Sequence, residues 1–235
     1  MGPVKAVIFD CDGTLVNSEH TYFLAFQKVF RKRGWELTLE EYNACIGNPC
    51  GVDHEFISQR IEGGNVEEIL CEAIRYYRDL QVMGIAPIEP TVDFLHALAR
   101  EKERLDLKLG LASAAGKYDI LANLKVLGVE HFFDVILSGE DDLADYNDPE
   151  GVNKPKPYIY LHAAKELNLE PAECVAIEDS YSGVTAAVKA GCFTIAVPNH
   201  QTQKHDLSHA HLKIETFANV SVEEFLQLVA QKRLG

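Results

Sequence analysis

Four short segments of the sequence place acidic, hydroxyl or basic side chains at the ends of apolar runs or just before a helical stretch. In chain order their polar residues are Asp10 and Asp12, Ser113, Lys154 and Lys156, and Glu178 and Asp179. An ionised carboxylate beside a hydrophobic core is costly in free energy unless a cation or hydrogen-bond donors accompany it. The paired aspartates, which are followed by a glycine turn, therefore predict a site for metal-assisted phosphoryl transfer.

The charges of this set indicate which chemistry it supports. When a carboxylate attacks a phosphate dianion at about 4 Å, each unit-charge repulsion is on the order of 4 kcal/mol at an effective dielectric constant of about 20. Two such repulsions would slow the reaction by about six powers of ten. A divalent cation and a lysine cancel much of this cost, and Mg²⁺ is a cation that prefers oxygen ligands. We therefore expect a Mg²⁺ site.

Each acidic and hydroxyl residue of the set has a predicted role. The predicted Mg²⁺ ligands are the carboxylates of Asp10, Glu178 and Asp179 and the backbone carbonyl of Asp12, with Glu178 acting directly or through a water. Asp10 is also the predicted nucleophile, which forms an aspartyl phosphate. Asp12, whose side chain stays off the metal, would protonate the leaving alcohol and later deprotonate water. Ser113 and nearby backbone amides would hold the phosphate oxygens.

Short apolar runs alternate with helical stretches along most of the chain. The predicted strands, buried on both faces, are Val4 to Phe9, Leu107 to Ala112, Val135 to Leu137, Cys174 to Ile177 and Phe193 to Val197. The predicted helices are Lys117 to Leu127, Pro157 to Leu167, Ser182 to Ala190 and Val222 to Lys232, with Gly128 and Gly191 at two helix ends. This alternation is typical of an α/β fold with a doubly wound parallel sheet. Ligands bind at the carboxyl ends of strands in such sheets, so the polar segments should converge on one edge.

The interval from about Val16 to Pro87 breaks this alternation and contains no convincing strand. It contains amphipathic stretches separated by glycines, namely Tyr22 to Arg33, Asp53 to Ile61 and Val66 to Val82. We therefore predict two domains. Residues 1–15 and 88–235 form the catalytic core, and residues 16–87 form a small helical domain inserted after the first strand.

Charge and cysteine content narrow the classes of partner and the location. The 36 acidic and 22 basic side chains give a formal net charge of -14, which repels nucleic acid and anionic membrane surfaces. No apolar stretch approaches the roughly 20 residues of a membrane span, and no secretory leader is visible. Free thiols are expected because the cysteines form no CxxC pair; they are Cys11, Cys45, Cys50, Cys71, Cys174 and Cys192. We expect a cytoplasmic monomer or weak homodimer whose partner is a small phosphorylated metabolite.

Four motifs in order resemble those of the haloacid dehalogenase-like hydrolase superfamily. They are Asp10-Cys11-Asp12-Gly13-Thr14, Ser113, Lys154-Pro155-x-Pro157 and Glu178-Asp179-Ser180-x-Ser182-Gly183. The resemblance covers nearly the whole chain and is greatest to the sugar-phosphate phosphatases and β-phosphoglucomutases, which carry a helical cap after the first strand. It implies a Rossmann-like core, the first aspartate as nucleophile, the second as acid and base, and the later carboxylates as Mg²⁺ ligands. The family's lysine precedes the first proline of its motif, which implies Lys154 rather than Lys156.

The resemblance leaves more than one function open. Dehalogenases of the superfamily lack an acid at the position of Asp12, which argues against dehalogenation. In the mutases a histidine and an arginine of the cap grip a second phosphate; here the histidine's place falls on Tyr22, with His20 nearby, and no arginine occurs from Gly47 to Gly51. We therefore expect a Mg²⁺-dependent phosphatase of small phosphomonoesters. A phosphosugar mutase is the second candidate, and a non-catalytic metabolite-binding or regulatory protein is the third.

Overall fold

The computed structural model describes residues 3–45, 52, 54–61 and 63–234. Its strands are β1 (Ala6–Phe9), β2 (Lys108–Ser113), β3 (Val135–Ser138), β4 (Cys174–Glu178), β5 (Phe193–Ala196) and β6 (Leu212–Lys213). Its helices are α1 (Ser18–Arg31), α2 (Leu39–Cys45), α3 (His54–Ser58), α4 (Val66–Gly84), α5 (Glu89–Leu105), α6 (Lys117–Leu127), α7 (Tyr158–Glu166), α8 (Tyr181–Ala190) and α9 (Val222–Leu234). Among these helices, none combines the length and the apolar character needed to cross a membrane.

The six strands form one parallel sheet in the order β3-β2-β1-β4-β5-β6. The chain winds outward from β1 to β3 on one side, then returns to the centre and winds from β4 to β6 on the other. The winding direction therefore changes between β1 and β4, which is where open α/β sheets bind ligands. Phe9 lies in register with both Leu111 and Ile177, so the chain leaves the ends of β1, β2 and β4 side by side. The predicted doubly wound parallel sheet is confirmed.

The centre of the sheet is buried because helices cover both of its faces. Every residue of β1, β4 and β5 is buried, which is the nearly continuous apolar pattern of parallel strands. One buried cluster joins Ile8 and Ala176 of the sheet to Tyr160 of α7 and Ala187 of α8. The helices that follow β3 and β4 are thus held against β1 and β4, whose ends carry polar residues.

Some elements differ from the sequence-based prediction. The strand β3 is half-exposed at Val135 and Ile136 because it lies at the sheet edge, so the prediction that it is buried on both faces is wrong. The helices α2 and α5 and the strand β6 were not predicted. Two residues are too few to show an alternating pattern in β6. In α5 the buried Val92 and Leu95 precede a charged final turn, which obscures the apolar face of the helix.

The chain divides into two compact units, Met1–Val16 with Pro87–Gly235 and Asn17–Ala86. The second unit contains α1 to α4 and has a hydrophobic core of its own. Within it the rings of Tyr22 and Tyr77 stack with their centroids 3.8 Å apart, and the side chain of Asn65 caps α4. The segment Gly47 to Gly51, Cys50 within it, and Asp53 lie outside the described residues. The five described cysteines are free thiols.

Replacing Ile8 tests whether the centre of the sheet supplies the stability of the core unit. Ile8 is completely buried in β1, so Ile8→Ala leaves a cavity and should lower the free energy of unfolding by about 2–5 kcal/mol. The matched variant Ile8→Val removes one methyl group and should cost only about 0.5–1.5 kcal/mol. Urea unfolding followed by circular dichroism measures both losses. Equal and small losses would contradict the description of a close-packed centre.

Candidate active site

Asp10 and Asp12 leave β1 in a tight turn that keeps them beside β4. The backbone N–H of Asp10 donates to the carbonyl of Ile177 at 3.0 Å, which continues the pairing of the two strands by one residue. Beyond it, the N–H of Gly13 donates to the carbonyl of Val16 at 2.8 Å, and Gly13 has a φ of 86°. This left-handed conformation favours glycine. The glycine after the paired aspartates is thus needed by the backbone of the turn.

Gly13 is also needed because Asp179 lies against it. A Cβ atom on Gly13 would lie 2.5 Å from Oδ2 of Asp179, closer than real side chains approach. The missing side chain therefore lets the Asp179 carboxylate approach the turn that follows β1. Both residues are buried.

Lys154 lies between two of the predicted carboxylates. Its Nζ atom donates to Oδ1 of Asp10 at 2.6 Å, to Oε1 of Glu178 at 2.7 Å and to the carbonyl of Ala112 at 2.8 Å. These contacts use the three donor hydrogens of the ammonium group, and the side chain is only 4% exposed. Lys154 is thus a buried cation that joins the ends of β1, β2 and β4.

Lys156 has a different environment. It forms ion pairs with Asp148 at 3.1 Å and with Glu150 at 2.6 Å, and its side chain is 24% exposed. These partners belong to the acidic loop that precedes Lys154. The structure therefore brings Lys154, and not Lys156, to Asp10.

Glu178 ends β4 and is completely buried. Its Oε1 atom accepts hydrogen bonds from Lys154 and, at 2.7 Å, from the hydroxyl of Tyr160. Its Oε2 atom accepts from the backbone N–H of Asp179 at 3.2 Å and from the hydroxyl of Ser180 at 3.4 Å. These four donors occupy the acceptor positions of the carboxylate. Glu178 therefore holds Lys154 in place.

Ser113 ends β2 and contacts the second aspartate. Its hydroxyl donates to Oδ2 of Asp12 at 3.1 Å and accepts the backbone N–H two residues further on at 3.1 Å. The loop after Ser113 is tied to Lys154 through Asn153, whose side-chain amide donates to the carbonyl of Ala114 at 2.8 Å. Oδ1 of Asn153 accepts the N–H of Lys154 at 2.8 Å. The serine, the second aspartate and the lysine thus belong to one hydrogen-bonded structure.

The acidic side chains fit a divalent cation. Ligand oxygens of Asp10, Glu178 and Asp179 lie within 4.8 Å of one another, and no second such group of three occurs in the described part of the chain. Three ionised carboxylates facing one lysine leave a formal charge of minus two. Oδ1 of Asp179 is buried and has no hydrogen-bond partner among the described residues. A buried oxygen without a partner in an anionic site suits a hard cation such as Mg²⁺.

Burial changes the protonation of this site. It raises the pKa of Asp10 to about 7; Lys154 opposes the shift, and the charges of Glu178 and Asp12 add to it. Burial and the charges of Asp10 and Glu178 also raise the pKa of Asp179 well above its usual value. For Lys154 burial lowers the pKa, but the charges of Asp10 and Glu178 outweigh it, and the pKa lies above its usual value. The lysine therefore stays charged, while Asp10 and Asp179 take up protons at a higher pH than ordinary aspartates do.

Comparison with known proteins identifies the family. The family model described as haloacid dehalogenase-like hydrolase matches residues 7–197. The chain belongs to this family. It is 34% identical to YhcW of Bacillus subtilis (strain 168) over 200 residues, which are 85% of this chain and 86% of that protein. It is 28% identical to the phosphorylated carbohydrates phosphatase of Thermotoga maritima over 228 residues, which are 97% and 99% of the two chains.

A solved structure agrees with this assignment. The crystal structure of CbbY from Rhodobacter sphaeroides in complex with phosphate aligns with a TM-score of 0.74 at 26% identity, covering 94% of this chain and 98% of that one. The predicted family is confirmed, and with it the prediction of a phosphatase-type hydrolase. The matched region contains the predicted site residues from Asp10 to Asp179.

Three polar residues of this haloacid dehalogenase-like hydrolase were missed by the sequence analysis. The hydroxyl of Tyr160 donates to Glu178, and Oδ1 of Asn153 accepts the backbone N–H of Lys154. The side chain of Asn199 donates to Asp179 at 2.9 Å. Tyr160 lies three residues after the first residue of the predicted helix Pro157 to Leu167, and the other two lie in loops. Asn153 could have been identified as a site residue because it directly precedes Lys154. For Asn199 the sequence offers only its position shortly after the predicted fifth strand.

Gly183 offers a test of the room available around Glu178. A Cβ atom on Gly183 would overlap the Glu178 carboxylate, so Gly183→Ala should displace a buried charged group and lower the free energy of unfolding by about 3 kcal/mol or more. Ser182→Ala, in the same turn of α8, is the matched control and should cost less than about 1 kcal/mol. Chemical unfolding of both variants measures the difference. An equal cost for the two variants would contradict the contact.

The raised pKa of Asp10 predicts how stability depends on pH without a cation. Because the pKa in the folded state, about 7, exceeds its ordinary value, the folded protein binds the proton more tightly than the unfolded chain. In EDTA, wild type should therefore gain stability relative to Asp10→Asn as the pH falls from about 8 to 5. Parallel urea titrations across that range measure the difference. A difference that stays constant with pH would show that Asp10 titrates normally.

Proposed function

We propose that this enzyme is a Mg²⁺-dependent phosphatase that hydrolyses small phosphomonoesters, sugar phosphates in particular, through an aspartyl-phosphate intermediate. The observation that carries the proposal is the buried ion pair of Lys154 with Asp10, next to the unpartnered Oδ1 atom of Asp179. An anionic nucleophile can approach an anionic phosphate only where nearby cations offset the repulsion. This site holds one cation and suits a second.

In the first half of the reaction a carboxylate oxygen of Asp10 attacks the phosphorus atom, and the bond from phosphorus to the alcohol oxygen breaks. Asp12 gives its proton to that oxygen, so the alcohol leaves neutral. Asp10 then carries the phosphoryl group as a mixed anhydride. Lys154 fixes the attacking carboxylate through Oδ1 and keeps a positive charge beside it.

In the second half Asp12, now ionised, takes a proton from a water molecule, which attacks the phosphorus atom of the aspartyl phosphate. The bond to Asp10 breaks, and inorganic phosphate and the free carboxylate are released. Before substrate binds, the hydrogen bond that Ser113 donates to Oδ2 of Asp12 orients the acid and base. With substrate bound, the single hydroxyl hydrogen of Ser113 would turn to a phosphate oxygen, and the backbone amides that follow it would hold other phosphate oxygens.

The residues that would hold Mg²⁺ are Asp10 and Asp179 through their carboxylates and Asp12 through its backbone carbonyl. We propose that Glu178 contributes its negative charge beside the cation rather than a direct ligand, because Lys154, Tyr160 and two further donors already occupy its oxygens. When bound, the cation supplies positive charge that offsets the carboxylates and polarises the phosphate.

The substrate class rests on a relative and on the second unit of the chain. The Thermotoga maritima relative is named a phosphorylated carbohydrates phosphatase, so we propose a phosphorylated sugar or similar small metabolite for this enzyme. Residues 16–87 would act as the cap that sets the choice of ester, since the core groups recognise only phosphate and metal. The cytoplasmic location and the monomeric or weakly dimeric state stay predictions.

The phosphatase is preferred over the other two candidates. Tyr22, which stands at the expected place of the mutase histidine, is partly buried, stacks on Tyr77 and packs against the core of the helical unit. A non-catalytic role would not require a buried lysine paired with the proposed nucleophile, because that arrangement costs free energy unless the ion pair has a use.

Phosphate release tests the proposal. Wild type with Mg²⁺ should hydrolyse p-nitrophenyl phosphate and members of a sugar-phosphate panel, and Asp10→Asn should lower kcat by at least about a thousandfold because the nucleophile is lost. The control Asp206→Asn, a substitution on an exposed loop, should keep full activity. EDTA should abolish the activity of both wild type and this control.

Equal rates for wild type and Asp10→Asn would overturn the mechanism. Interconversion of sugar-phosphate isomers, stimulated by glucose 1,6-bisphosphate without net phosphate release, would favour the mutase instead. A raised melting temperature with a metabolite but no turnover of any ester would favour the binding protein.

A further inference from the structure

We propose that Asn199 is a positioning residue that sets the Mg²⁺ affinity of the site by orienting Asp179. This inference rests on the proposed function, because it concerns the same cation site. Asn199 lies in the loop after β5, outside the four motifs. Its side chain acts on the site through Asp179 and through the backbone of Gly13.

The side-chain amide of Asn199 joins two parts of the site. Its Nδ2 atom donates to Oδ2 of Asp179 at 2.9 Å and to the backbone carbonyl of Gly13 at 2.9 Å. An amide nitrogen has two hydrogens, and both are used here. The contact therefore links the end of β4 to the turn after β1, the two segments that supply the proposed metal ligands.

The orientation of this amide is determined by its own loop. Oδ1 of Asn199 accepts the backbone N–H groups of Gln201 at 2.8 Å and Thr202 at 3.2 Å, and the N–H of Asn199 donates to the Thr202 hydroxyl at 3.0 Å. Exchanging the oxygen and nitrogen of the amide would bring the NH₂ group against two N–H donors. The donor side of Asn199 must therefore face Asp179 and Gly13.

The consequence for Asp179 is that its two oxygens are unequal. Oδ2 is taken by Asn199, while Oδ1 is buried without a hydrogen-bond partner among the described residues. The carboxylate lies in the space that a side chain on Gly13 would fill, because a Cβ atom there would be 2.5 Å from Oδ2 of Asp179. With Oδ2 held by Asn199, Oδ1 is the oxygen left for a cation, and a ligand oxygen of Asp179 lies within 4.8 Å of oxygens of Asp10 and Glu178.

Residues that hold a metal ligand in place through a hydrogen bond typically change metal affinity by 10- to 100-fold when they are replaced. Without the Asn199 amide, Oδ2 of Asp179 would lose the donor that orients it, and the carboxylate could rotate away from the position that suits the cation. Part of the binding free energy of Mg²⁺ would then be spent on restoring its orientation. We therefore expect weaker Mg²⁺ binding with little effect on the chemical step once Mg²⁺ is saturating.

The experiment compares Asn199→Ser, Asn199→Ala and the control Gln203→Ala by calorimetric titration of the full-length, EDTA-treated chain with Mg²⁺. Serine retains an oxygen that can accept the loop N–H groups but is too short to reach Asp179, whereas alanine loses both functions. Both variants should raise the Kd for Mg²⁺ by at least about tenfold. The side-chain amide of Gln203 donates to the carbonyl of His200 in the same loop, and alanine keeps the backbone N–H that donates to the carbonyl of Asn199, so Gln203→Ala should leave the Kd unchanged.

A parallel activity series adds a second readout. The Mg²⁺ concentration for half-maximal phosphate release should rise by the same factor in both Asn199 variants, while kcat at saturating Mg²⁺ stays within about threefold of wild type. A misfolded variant would not regain activity when Mg²⁺ is added. Recovery at high Mg²⁺ therefore shows that the variants are folded and have lost only metal affinity.

The outcomes separate the inference from the proposed function. A Kd unchanged in both variants, or restored by serine but not by alanine, overturns the inference, because the loop alone would then explain the effect. If wild type binds Mg²⁺ in an Asn199-dependent manner but hydrolyses no ester, the inference stands and the phosphatase proposal fails. If wild type binds no Mg²⁺, both fail.

Discussion

The burial of several carboxylates around one lysine is the constraint on which the rest of this structure depends. Asp10, Glu178 and Asp179 are all removed from water, and a buried charge without a partner costs several kcal/mol. Lys154 compensates for two of them directly, and the third is left with one oxygen unpartnered. The site thus carries negative charge that Lys154 alone does not neutralise. A divalent cation would neutralise this charge at the point where an anionic ester would have to bind.

The fold meets this constraint by bringing together segments that are far apart in the sequence. A parallel sheet whose winding direction changes between β1 and β4 places the ends of these strands side by side. The helix α7 positions two donors to Glu178. Lys154 lies just before the helix and Tyr160 lies within it, and both donate to the Glu178 carboxylate. Glycines at positions 13 and 183 leave the space that the carboxylates of Asp179 and Glu178 occupy.

Much of this arrangement could be predicted because it follows from where strands end. Asp10, Ser113 and Glu178 directly follow or end apolar runs, and a parallel sheet aligns such ends whatever the loops do. Tyr160 could not be predicted as a partner of Glu178, because the same residue on an amphipathic helix is expected in the core. Asn199 lies in a loop whose path no periodic pattern determines. The choice between Lys154 and Lys156 needed the family's motif, since both precede the same helix.

The most direct test of the central claim is a crystal structure of the enzyme with Mg²⁺ and beryllium fluoride, a mimic of an aspartyl phosphate. We expect the fluoride adduct on Asp10, with a Mg²⁺ ion about 2.1 Å from carboxylate oxygens of Asp10 and Asp179 and from the carbonyl of Asp12, and with Lys154 still in the site. A structure at saturating Mg²⁺ with no ion among these oxygens, or with the adduct on another residue, would contradict it.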